Sequence, residues 1–170
     1  IPAPASVADD FPGVENNHQQ AFNEAQNVLL VADLDVDAAA DISAGTRVSS
    51  HLIFLNTAGN AFVSNTATWT FGNIILGVMS DSGALLEAAS SFLESSGPFY
   101  PGSYANRGFE SSDSYTWVPG SKSITVTMRV TEPGDWIRVI TAPVPEPGTL
   151  LLLGTGLVGL VGYSRRRQKS

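Results

Sequence analysis

The sequence predicts a mostly-β protein: a single jelly-roll-like β-sandwich with one short helix, followed by a C-terminal transmembrane helix. Three observations lead there. Apolar and polar residues alternate with period two in several stretches, the mark of half-buried strands. One stretch alone, Ser82 to Ser96, combines helical spacing with helix-forming residues. The chain then ends on a fourteen-residue uncharged run, Leu150 to Tyr163, closed by Arg165-Arg166-Arg167.

In "LVADLDVD", Leu30, Ala32, Leu34 and Val36 share one face, and Val31, Asp33, Asp35 and Asp37 the other, which reads as a half-buried strand. "TRVSSHLIFL" puts Val48, Ser50, Leu52 and Phe54 on one face and Arg47, Ser49 and His51 on the other, where Ile53 and Leu55 follow. "ATWTFGNIILGVM" starts with Trp69 and Phe71 in phase and changes parity at Gly72-Asn73 to Ile74, Leu76 and Val78, which predicts a bulge or tight bend. "KSITVTMRVT" alternates cleanly, with Ile124, Val126, Met128 and Val130 inward. "DWIRVIT" follows after "EPGD", whose central Pro-Gly predicts a type II turn and therefore a hairpin.

The helix is expected to bury Leu85, Ala89 and Leu93, with Ser82 as its cap and Gly97-Pro98 as its stop. Gly97 to Ser114 is rich in Gly, Pro and Ser and reads as a long surface loop. Three regions result: a loosely held segment 1–20, a sandwich body 21–143 of seven or eight strands, and a tail 144–170.

Charge separates tail from body. The chain has 16 acidic and nine basic residues, yet four basic ones crowd into the last six positions. Residues 1–148 therefore carry a formal charge of −11. A body so acidic repels phosphate backbones, which excludes nucleic acid as a partner. The absence of cysteine excludes a disulfide scaffold, a thiolate metal site and a cysteine nucleophile. "IPAPASVADD" reads as a mature end left by removal of a signal peptide, or equally as a chosen starting point.

As a helix, Leu150–Tyr163 would be roughly 21 Å long at about 1.5 Å per residue, against a bilayer core of about 30 Å. Snorkelling arginines and local thinning make up part of the difference. The run is apolar all round, which suits lipid better than a protein surface. The basic cluster places the tip in the cytoplasm and the body across the membrane.

Val144-Pro145-Glu146-Pro147, the apolar run and the arginine cluster together closely resemble the PEP-CTERM sorting signal of exported proteins of Gram-negative bacteria. The resemblance covers residues 144–170. It implies recognition by exosortase, a membrane-embedded protease-transpeptidase, transient anchoring in the inner membrane, and release to the cell surface or extracellular matrix. It also implies a setting of exopolysaccharide production and of biofilm or floc growth. The chemistry of the motif agrees: Pro145 and Pro147 fix φ and lack N–H donors, so the segment stays extended, as a protease groove requires.

Within the body no motif names a reaction: no G-x-S-x-G elbow, HExxH, P-loop or dinucleotide fingerprint occurs. Asp33, Asp35 and Asp37 alternate along one strand face and could hold calcium, against the plainer reading of a solvated acidic face; an EF-hand is excluded, since Ala38 and Ala44 stand where its glycine and glutamate belong. Asp9-Asp10 and Glu110-Ser111-Ser112-Asp113 are weaker cases for calcium and read as loop polarity, and His51 reads as an exposed strand histidine. Tyr100 and Tyr104, with Arg107, could stack on a sugar and bond its hydroxyls, against the reading that they cap the sandwich. The sequence thus points to a non-enzymatic exported surface or matrix protein, self-associating or binding exopolysaccharide. A carbohydrate-binding module, calcium-assisted or not, is the alternative, and a secreted hydrolase the third reading.

Overall fold

The computed structural model describes residues 1–37, 40–103 and 105–144. The expected transmembrane helix lies outside them, and among the described residues no helix is long and apolar enough to cross a membrane. The strands are β1 (Gln20–Asn23), β2 (Val28–Leu29), β3 (Arg47–Leu55), β4 (Val63–Thr70), β5 (Ile75–Met79), β6 (Ser114–Trp117), β7 (Ser123–Val130) and β8 (Asp135–Thr141). They form two antiparallel sheets. The larger runs β1-β3-β8-β5, with β2 pairing to β3 beyond the end of β1, and the smaller runs β4-β7-β6.

The two sheets differ because their strands differ in pattern. β7 buries Ile124, Val126, Met128 and Val130 and turns serine, threonine and arginine outward. Those side chains, with Trp69 and Trp117 from its neighbours, meet Ile53, Ile137 and Val139 of the larger sheet in one core. Outside, the small sheet shows hydroxyls: Thr66 pairs with Thr127 at 2.8 Å, Thr68 with Thr125 at 2.9 Å and Thr70 with Ser123 at 2.8 Å. Such cross-strand pairs contribute about 0.2–1 kcal/mol each.

β8 is apolar at both parities, and every one of its residues is buried. It lies at the centre of the larger sheet, whose second face is covered as well. Leu30, Leu34, Val36, Ile42 and Leu93 pack on Val48, Met79 and Ile140. Val7, Val14 and Ala84 pack on Leu52, Phe54 and Trp136. At about 1.5–3 kcal/mol per fully buried large apolar side chain, this outer layer matters as much as the inter-sheet core.

Several expectations are corrected. β7 and β8 do not form a hairpin, because they belong to different sheets. The linking turn has a cis Glu132–Pro133 bond and Gly134 at φ 77°, and it carries the chain from one sheet to the other. A strand with one polar face belongs in a sheet open to water on one side; a strand apolar on both faces belongs in a covered one. The parity change at Gly72 is the mirror event, the crossing from β4 in the small sheet to β5 in the large one. A second irregularity between Ile75 and Gly77 then buries Ile75 and Val78, while Ile74 stays 37% exposed.

Residues 30–37 are not a strand but one side of a loop closed by a Leu34–Ile42 bridge. Their alternation survives as burial, with Leu30, Leu34 and Val36 inside and Val31 exposed. The helix is shorter than expected: α1 covers Leu85–Ala89, and a 3-10 turn covers Ser91–Leu93. Its buried side is also different, since Leu85 is 63% exposed while Glu87 and Leu93 are interior. Asp81, not Ser82, takes the free N–H groups of Leu85 and Leu86, at 3.1 and 2.8 Å. Residues 1–20, expected to be loosely held, are anchored by buried Val7 and Val14 and by a Ser6–Phe99 bridge.

Candidate functional site

The chain leaves the sandwich under restraint. Ala142 N donates to Ile74 O at 2.9 Å, and Asn73 Nδ2 donates to Pro143 O at 2.8 Å. Val144 follows, 62% exposed. The remaining sorting positions, Pro145, Glu146 and Pro147, lie outside the described residues, as do Arg165, Arg166 and Arg167.

Of the residues expected to contact sugar, Tyr104 is outside the described set, and the other two face inward. Arg107 is completely buried. Its guanidinium lies 4.6 Å over the Trp136 ring, and Nη1 donates to Asn56 Oδ1 at 2.9 Å and to Pro133 O at 2.6 Å. A further bond runs from Nη2 to Val7 O. Arg107 thus ties the N-terminal segment, the residue that follows β3 and the β7–β8 turn together, which takes it away from any surface ligand. Tyr100 is half-buried against Trp136, and its hydroxyl accepts a bond from Ser95 N at 3.2 Å. Burial, then the Glu24 charge, raise its pKa.

Asp33, Asp35 and Asp37 do not gather either. Asp33 Oδ1 accepts Ala44 N at 2.8 Å, and Asp37 Oδ2 accepts Ser80 N at 2.6 Å and Ser80 Oγ at 2.5 Å, while Asp35 points to solvent. Loop closure, not metal binding, occupies the first and third. A different acidic group assembles instead. Glu110, Asp113 and Asp135 bring one carboxylate oxygen each within 4.8 Å of one another. Burial, with Asp113 and Glu110 adding to it, raises the pKa of Asp135 to about 9. Glu110 is raised by burial and by Asp113. Asp135 opens a buried apolar strand directly after a turn, and a carboxyl there was the available sequence signal.

Beneath α1 lies a buried ion pair. Arg138 Nε and Nη2 donate to the two Glu24 oxygens at 2.7 and 2.9 Å, and Nη1 reaches Glu87 O and Ser90 Oγ, each at 2.6 Å. The Glu87 carboxyl is buried beside this pair, and burial, with the Asp81 charge adding to it, raises its pKa well above the ordinary value.

His51, expected on the surface, is only 9% exposed. Its Nδ1 meets Asn23 Oδ1 at 2.8 Å, its Nε2 meets the Thr141 hydroxyl at 3.1 Å, and its ring lies 4.6 Å from Phe71. Burial lowers its pKa to about 4, so the ring is neutral. A shallow cavity of about 250 Å3 opens beside it, lined by Asn23, Trp69, Thr70 and Phe71.

The family model for the PEP-CTERM protein-sorting motif matches residues 143–167. The chain is a PEP-CTERM protein. Comparison with curated proteins and with solved structures gave no match. A PEP-CTERM signal is recognised by exosortase, so the protein is exported and processed by that enzyme, and its signal implies secretion through a transient membrane anchor. The match begins at Pro143, at the edge of the sandwich, where the Val144 side chain still lies against Gly72. In this PEP-CTERM protein the address and the folded cargo therefore abut.

Proposed function

We propose that the body is a non-enzymatic module of the cell surface or extracellular matrix, acting by contact with exopolysaccharide or with its own copies after exosortase has released it, in biofilm or floc growth. The observation that carries this reading is the sorting motif joined directly to a sandwich whose smaller sheet presents a broad hydroxyl face. Thr66, Thr68, Thr70, Thr125, Thr127 and Ser123 pair among themselves and still have lone pairs for an outside donor. That suits a hydrated polymer. We also read the topology as jelly-roll-like, since β3-β8-β5 faces β4-β7-β6 and the chain changes sheets between β3 and β4, β4 and β5, β5 and β6, and β7 and β8.

The test is to incubate the full chain, in detergent, with exopolysaccharide from the producing strain. Co-sedimentation that falls at least five-fold in Thr68→Glu/Thr125→Glu supports the reading. Release of new reducing ends would make the protein a hydrolase, and a protein that neither sediments with the polymer nor self-associates would end the proposal. Mass spectrometry of the secreted form should show a chain cut near Pro145-Glu146-Pro147.

A second reading, a carbohydrate-binding module with a discrete site, is favoured by the cavity that Trp69 and Phe71 line together with Asn23. It predicts saturable binding of a short oligosaccharide that Trp69→Ala abolishes and the threonine variant leaves intact.

A further inference from the structure

The geometry points to a calcium-class cation site built from Glu110, Asp113 and Asp135, one that staples the two sheets of the sandwich together. The spacing is the first argument. One oxygen from each carboxylate lies within 4.8 Å of the others. Two oxygens bound to the same calcium at about 2.4 Å can be no more than about 4.8 Å apart.

The second argument is independent of the clustering. Asp135 is 2% exposed, and its Oδ2 has no hydrogen-bond partner; Glu110 Oε1 is likewise buried and unpartnered. Buried oxygens of this kind are costly unless something positive reaches them. A proton shared between two carboxyls would bring their oxygens to about 2.5–2.7 Å. Neither of these two atoms has any partner within bonding distance. A cation seated among them supplies what is lacking. Arg107 offsets part of the local negative charge, but it is committed to Asn56, Pro133 and Val7.

The donors are all oxygen, which selects a hard cation over zinc or copper. Asp113 is already oriented, because its Oδ2 accepts Glu110 N at 2.9 Å and its Oδ1 accepts Arg129 N at 2.7 Å. Three carboxylates drawn from separate segments suit calcium, which accepts six to eight ligands in varied arrangements, better than magnesium, which demands a near-ideal octahedron. Water completes the shell. Asp113 immediately precedes β6 in the small sheet, and Asp135 opens β8 in the large one. An ion between them therefore crosses the sandwich interface. For an exported protein, affinity in the 10⁻⁴–10⁻³ M range of extracellular calcium modules would suffice.

The test uses the full chain in detergent, stripped with chelator, titrated calorimetrically with calcium chloride and melted with and without it. One site is expected, with a rise in Tm of roughly 3–6 °C at ten times Kd. Glu110→Gln should weaken calcium binding at least ten-fold while melting no lower than the wild type without calcium, because it relieves repulsion. Asp135→Asn is the second variant, with the same expected loss of response. Absence of heat and of any Tm shift at 10 mM calcium would overturn the site. An equal shift with magnesium, or an undiminished one in both variants, would do the same, since it would reduce the effect to ionic screening.

Discussion

The two sheets are built on opposite principles. The larger is covered on both faces and accepts charge in its interior, with Arg138 bound to Glu24 at side-chain exposures of 1% and 0%. The smaller buries one face and leaves the other as an array of paired hydroxyls in water. The difference shows which sheet sets stability and which is free to meet a partner. Packing on both sides leaves the larger sheet little tolerance for change. The outer face of the smaller sheet can vary with little penalty, as a contact surface must.

The most severe way to expose that contrast is Arg138→Ala, which leaves Glu24 buried without its cation. A loss of about 3–5 kcal/mol is expected in urea unfolding. If the variant loses less than about 1 kcal/mol, the larger sheet is not the foundation described here.

Acid sharpens the comparison next. His51 sits on β3 with its pKa lowered to about 4, against an ordinary value of 6.5. Its neutral form is the folded form, so its contribution is fully present above pH 6.5 and is lost as pH falls from there through 4. That loss is on the order of 3 kcal/mol at most. The raised carboxyls Glu87 and Asp135 bias the total pH dependence the opposite way, so the clean readouts are site-resolved. NMR should show the His51 ring unprotonated at pH 5.5, and His51→Gln should flatten the acid side of the stability curve.

The smallest effect belongs to the small sheet. Thr68→Val, which breaks one hydroxyl pair on its open face, should change stability by no more than about 1 kcal/mol. A larger loss would mean that the hydroxyl ladder is structural.

The pattern of these strands was legible in the sequence wherever one face meets water. β7 is the clear case, because its threonines mark the outside. The strands of the larger sheet were legible as strands but not as partners. Alternation reports burial, and β8 is buried on both sides, so the turn before it looked like the middle of a hairpin rather than a crossing between sheets. Residues 30–37 mislead for the related reason that a loop packed on a sheet alternates as a strand does. The site residues were harder. Asp33 and Asp37 share a periodicity, yet each is taken by a backbone N–H brought from elsewhere in the chain. Glu110 and Asp135 are 25 positions apart in sequence and meet only because the sheets close on each other. The sorting motif needed no fold to be read, since its recognition is local.

The restraint at Pro143 has a consequence for handling by the export machinery. With that carbonyl pinned by Asn73, one residue, Val144, separates the folded surface from Pro145, a Cα-to-Cα reach of about 7 Å at full stretch. Whatever severs the address there must work against the flank of a finished domain, and the liberated product keeps almost no stalk. Any covalent graft made at that cut would press the sandwich directly onto its new support rather than dangle it from a leash.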